Sequence, residues 1–109
     1  MPGTPGDDNA KLANADAWLA GNIQPLLSSA TFQSSGLLLI TFDESSDGDD
    51  AHGGGQVPLL VISNKSKPGF ESTTFYQHQS TLRLALDVLG ITHRPGMANE
   101  APQMGEFFQ

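Results

Sequence analysis

A chain of 109 residues suffices for one domain with a modest core, or for a piece of a larger one, since single domains most often run to ~100–150 residues. Five Lys and Arg against twelve Asp and Glu give a formal net charge of -7, which argues against a nucleic-acid backbone or an anionic membrane surface as partner and favours a divalent cation. There is no cysteine, so disulfides and thiolate metal sites are excluded, and no run approaches the ~20 apolar residues of a membrane span.

The opening MPGTPGD is rich in Pro and Gly and reads as a flexible tail over residues 1–7. It lacks the charged and apolar regions of a signal peptide, so any export signal is expected to have been lost or to lie on a missing segment. Asp7, Asp8 and Asn9 offer N-cap oxygens, and Leu12, Ala15, Leu19, Ile23 and Leu26 recur at helical spacing. A helix is predicted from about Asp8 to Asn22, with Trp18 and Leu19 facing inward and Pro25 ending or kinking it. SSATFQSSG reads as a polar turn.

LLLITFD is an apolar run without polar alternation, as expected for a strand covered on both faces in an α/β sheet. QVPLLVIS repeats the pattern. The short Asp- and Gly-rich connection between them leaves no room for a crossover helix, so the second strand should run antiparallel, with Pro58 at an edge or a strand start. NKSKPGFEST is a loop, with Phe70 and, just beyond it, Phe75 expected in the core. Leu82, Ala85, Leu86 and Leu89 mark an amphipathic helix from about His78 to Leu89, with Gly90 as its left-handed C-terminal cap. Met104, Phe107 and Phe108 in the irregular tail should dock on the body. Residues 8–109 are thus expected to form a single α/β domain of few strands flanked by two helices.

Ligands of open α/β sheets collect beyond the carboxyl ends of the strands, which is where Asp43 and Glu44 stand. Two adjacent, semi-buried carboxylates repel one another unless a cation holds them. Ser45, Ser46, Asp47, Asp49 and Asp50 add oxygen donors and His52 a nitrogen, a set suited to Ca²⁺, Mg²⁺ or Mn²⁺, with Zn²⁺ or Fe left open by the histidine. DESSDG matches the first half of a calcium loop, but the twelfth position is Gly54 rather than Glu and a strand precedes it. The run 53–55 of three glycines has no following helix and no P-loop lysine, and reads as a flexible return to the second strand. Solvated acidic side chains are the alternative for Asp47, Asp49 and Asp50. His78, with Tyr76 and Ser80, stands where side chains bond free backbone groups at a helix start, and a substrate contact is the alternative. Arg94 beside His93 reads as a solvated side chain, with a phosphate contact by Arg94 the alternative, and Lys65 with Lys67 could hold an anion beside the strand end.

FDESSDGDDAHGGGQVPLLVIS, KPGFESTTFYQHQSTLRLALDVLGI and APQMGEFF, taken in order, resemble the C-terminal part of the bacterial phosphoesterase family, and WLAGNIQPLL resembles the helix before its Asp-Glu strand. That family contains acid phosphatases and phosphatidylcholine-type phospholipases C and belongs to the alkaline phosphatase superfamily. The resemblance implies part of a three-layer sandwich and a divalent metal held by Asp43 and Glu44, with Asp47, Asp49 and His52 as further candidate ligands from the same loop. His78 and Arg94 are the candidates for substrate contact. The family's nucleophile and first acidic ligands lie far upstream of the matching region, so the chain is expected to be a truncated phosphoric ester hydrolase that lacks the nucleophile and is incomplete alone. A non-catalytic calcium-binding module is the alternative. The expected partners are a phosphate ester, if the chain is active, and a second copy or partner chain that completes it. Exported family members imply a periplasmic or extracellular setting.

Overall fold

The computed structural model describes residues 8–109, so the tail and the cap residue Asp7 lie outside the described residues. They divide into two compact units, one reaching Asn64 and one from Lys65 to Gln109. Helix α1, Asp8–Asn22, has the predicted bounds. It does not run on, because Pro25 falls in the first turn of a short helix α2, Gln24–Leu27, where a missing N–H costs nothing. A further helix α3, Ala30–Ser35, occupies the stretch expected to be a turn. Ser29 caps it by accepting the Phe32 N–H at 3.2 Å and donating to the Leu26 carbonyl at 2.8 Å.

Strands β1, Leu38–Thr41, and β2, Leu59–Ile62, pair antiparallel with Leu38 opposite Ile62 and Thr41 opposite Leu59. Pro58 immediately precedes β2, where no ladder N–H is required, and its carbonyl accepts the Thr41 hydroxyl at 2.8 Å. The two strands form a two-stranded sheet. The fold is thus a mixed one, helices with a small antiparallel sheet.

Burial corrects several expectations. Leu38, Leu39 and Ile40 are half-buried, and Leu60 is 54% exposed, so the strands are not covered on both faces. An apolar run of this length reads the same whether it is enclosed or stands in a two-stranded ribbon. Trp18 is 59% exposed and Leu19 is exposed as well, so neither faces inward. Among the described residues of the first unit none is fully buried.

The buried core lies in the second unit: Leu84, Ala98, Ala101 and Met104, together with Ser80. Helix α4, His78–Val88, contributes Ser80 and Leu84. Gly90, at φ 73°, ends it as predicted: its N–H bonds the Asp87 carbonyl at 3.1 Å, and the Ile91 N–H reaches Leu86 at 2.9 Å. This pair of bonds is the Schellman pattern, in which the residue after the cap must be left-handed. The tail packs as expected. Its Met104 is 1% exposed, the Phe108 segment bridges Ser66, and the Lys67 N–H bonds the Phe107 carbonyl at 2.8 Å. Phe70 and Phe75 are exposed rather than core, although the Phe70 ring meets Phe107 edge-on at 5.4 Å. Met104→Ala should destabilise the protein by about 2–5 kcal/mol, the usual range for emptying a buried Met site. Urea unfolding of the two proteins measures this, and an unchanged midpoint would contradict the assigned core.

Candidate functional site

Asp43 and Glu44 follow β1 and enter the connection to β2. Both are exposed, which removes the semi-burial from which a compensating cation was inferred. The Asp43 carboxylate accepts the Glu44 N–H at 2.9 Å. A turn follows, closed by the Asp49 N–H on the Ser46 carbonyl at 3.0 Å. The chain then forms a short 3-10 turn, Ala51–Gly53, in which His52 takes a left-handed φ of 57°. A side chain pays a conformational penalty there that histidine tolerates better than most.

The loop is drawn together by Asp49. Its Oδ1 accepts the Ala51 N–H at 3.3 Å and its Oδ2 the Gln56 N–H at 3.0 Å. Gly54 returns beside the acidic pair, where its carbonyl accepts the Ser45 N–H at 2.7 Å. Of the predicted ligands, then, Asp43 and Glu44 are neighbours at the strand end, Asp49 binds backbone, and Asp47 and His52 are exposed on the same loop. Among the described residues no three His, Asp or Glu side chains converge so as to hold a metal ion. The pair has the chemistry of hard-cation ligands, but two carboxylates are only part of a six- to eight-oxygen shell.

The candidate substrate residues belong to the second unit. His78 is exposed on the first turn of α4. Arg94 donates to Asp87 Oδ1 through Nη2 at 2.7 Å and Nε at 3.2 Å, so its guanidinium braces α4 rather than standing in solvent. Arg83, on the same helix, donates through Nη1 to the Ala101 carbonyl at 2.6 Å and sets Nε 3.8 Å from the second oxygen of Asp87. These bonds tie α4 to the tail.

A second acidic centre was not foreseen. Glu106 accepts the hydroxyls of Ser72 and Thr74, the latter at 3.2 Å, and the Tyr76 hydroxyl donates to the Gln103 carbonyl at 3.3 Å. The ring of Tyr76 lies 6.0 Å from that of Phe107. The Ser72 hydroxyl, aided by those of Thr74 and Tyr76, holds the Glu106 carboxyl below its ordinary value against a weaker opposing effect of burial. Burial, followed by the charge of Glu106, raises the Tyr76 phenol against the hydrogen bond from Thr74. The signal lay in the hydroxyl-rich ESTTFY stretch, whose partner stands thirty-odd residues away in the tail and so could not be paired by spacing.

The profile described as Phosphoesterase family matches residues 5–92. The chain belongs to the phosphoesterase family. At the level of the family it is a phosphoesterase-type hydrolase domain. The match takes in the acidic loop, β2 and α4, whereas APQMGEFF in the tail lies beyond it. Phosphoesterases of this family generally use divalent metals and act on phosphoric esters. No curated protein and no solved structure gives a significant match. No helix of the described residues is long and apolar enough to cross a membrane.

Because the folded protein holds Glu106 more acidic than the unfolded chain does, this group adds stability above the ordinary carboxylate value of about 4.5, and the gain disappears as pH falls through the lower folded value. Glu106→Gln should flatten the pH dependence of urea unfolding below pH 4.5 while changing it little near neutrality. Parallel curves for the two proteins across that window would contradict the network.

Proposed function

We propose that this chain supplies the metal-holding strand end of a metal-dependent phosphoesterase site of the phosphatase or phospholipase C type. Asp43 and Glu44 are its ligands, with Asp47 and His52 as further donors from the same loop. The placement of adjacent carboxylates one residue beyond the end of β1, in a chain of this family, carries the reading. When bound, a divalent cation in such a site neutralises charge on the ester oxygens. Asp43 and Glu44 would hold it, and the loop returns beside them where the Gly54 carbonyl accepts the Ser45 N–H. Asp49, a further candidate ligand from the same loop, already accepts one backbone N–H on each of its oxygens.

The described residues offer only part of a ligand shell. We therefore read the chain as one wall of the site, with the nucleophile and the remaining ligands supplied by polypeptide outside these residues or by a partner chain. In that reading residues 8–109 are a fragment of an alkaline-phosphatase-like sandwich, and the pair β1–β2 is one edge of its sheet. His78 is a candidate substrate contact at the helix start, while the engagement of Arg94 with Asp87 favours a structural role for that residue. The compartment is periplasmic or extracellular, as for exported relatives. The second reading, a calcium-binding module without turnover, draws on the same donors and on the oxygen-rich composition of the loop.

Calorimetric titration with Mn²⁺ and Ca²⁺, alongside hydrolysis of p-nitrophenyl phosphate, tests the proposal. Asp43→Asn and Glu44→Gln should each weaken cation binding by roughly tenfold or more, as losses at metal sites do. Turnover that falls in step once the chain is combined with the polypeptide that supplies the nucleophile supports the hydrolase, and mutation-sensitive binding without turnover even in that combination supports the calcium module. Binding that neither substitution changes would overturn both.

A further inference from the structure

We propose that the chain carries a conformational device: residues 8–64 open and reclose as a cooperative unit of their own while residues 65–109 stay folded. No cation or ester enters into this, so it stands apart from the reading of Asp43 and Glu44 as ligands. The difference lies in how each unit is held together internally.

The second unit is closed by its own ends. Its last residue, Gln109, donates its N–H to the carbonyl of its first, Lys65, at 2.8 Å, and its side-chain amide to the Ser66 carbonyl at 3.3 Å. Within that closure, contacts join residues far apart in the chain. Arg83 Nη1 reaches the Ala101 carbonyl at 2.6 Å, the Glu106 carboxylate takes the hydroxyls of Ser72 and Thr74, and the Phe107 ring meets those of Phe70 and Tyr76. Met104 and Ala98 are each 1% exposed at the centre. Loosening either end therefore gives up contacts across the whole unit, and such a body opens all at once or stays shut.

The first unit is built from pieces that are weak alone. Its sheet has two strands, an arrangement that is marginal in water without further strands or a packed layer. Helices α2 and α3 have four and six residues, too few to persist by backbone bonding. None of its described residues is fully buried, and Leu12, Trp18, Leu26, Phe42 and Leu60 are exposed. Opening it returns little apolar surface to water, whereas opening the second unit exposes a core. The acidic loop, residues 42–58, thus belongs to the unit that opens more readily. Whatever binds the closed form of that unit stabilises it selectively and leaves the second unit as it was.

Amide hydrogen exchange of the full chain, resolved by residue at rising urea below the main unfolding transition, reads both units together. The β1 and β2 amides should exchange through an opening that grows with urea, while residues 84–88 of α4 and the N–H groups of Lys67 and Gln109 remain protected. Exchange of β1 and β2 that is fast even without urea, beside a protected α4, supports the same separation. Met104→Ala should speed exchange in α4 by roughly thirtyfold or more, the equivalent of emptying a buried Met site, and leave β1 and β2 unchanged. Leu39→Ala should speed exchange in β1 and β2 alone, so each unit is tested even if one substitution unfolds the unit that carries it. Exchange of all these amides through one opening, shifted equally by either substitution, would overturn the proposal. So would β1 and β2 amides that outlast those of α4.

Discussion

The acidic pair lies at the start of a long connection between two antiparallel strands, and one carboxylate further along, that of Asp49, draws that connection together. β1 and β2 fix the two ends through their register, but residues 42–58 between them contain no strand, only a turn closed by Asp49 on Ser46 and the short 3-10 turn Ala51–Gly53. Such a segment carries many backbone groups that a sheet ladder would otherwise satisfy. Asp49 takes two of these N–H groups, and the Gly54 carbonyl takes a third from Ser45. Hydrogen bonds to an ionised acceptor are stronger than neutral ones, so a small number suffices to define the loop.

The exposure of Asp43 and Glu44 changes the electrostatic case for a metal. Two like charges ~4 Å apart in water interact by only ~1 kcal/mol, a cost that solvent tolerates without a counter-ion. Repulsion alone therefore does not call for a cation at this strand end. What supports one is the donor type, the position after β1, and membership of a family that generally uses divalent metals. Exposure also means that the pair is not desolvated in advance, so affinity must come from additional ligands that complete the shell.

Local signals were the legible part of the sequence. Helical spacing gave α1, the Pro58 position and the short acidic connection gave the antiparallel pairing, and Gly90 marked the end of α4. Helix α3 was hidden because its six residues are mostly polar, although the Ser29 cap that starts it was present to be read. Burial was the least legible property. Periodicity reports which residues could face a core, and Trp18, Leu60 and Phe75 are exposed because the described residues place no covering layer on them. At the site, residue types identified the acidic loop, while the separate task of Asp49 depended on two backbone partners that no spacing rule specifies. Glu106 escaped notice for a related reason, since its hydroxyl partners lie far from it in the chain.

The second unit gives α4 a firm seat. Arg83 and Arg94 converge on Asp87, Arg83 also reaches the tail, and Met104 fills the core beside Leu84, Ala98 and Ala101. The first unit holds the acidic loop with no comparable core of its own among the described residues. The proposed function therefore depends on whether a cation settles at the end of β1. Anomalous diffraction from crystals of the protein grown with Mn²⁺ addresses this directly. A manganese peak bridging the carboxylates of Asp43 and Glu44, with Asp49 still bound to backbone, is the predicted result. Well-ordered Asp43 and Glu44 side chains turned to solvent, with manganese absent or lodged elsewhere, would contradict it.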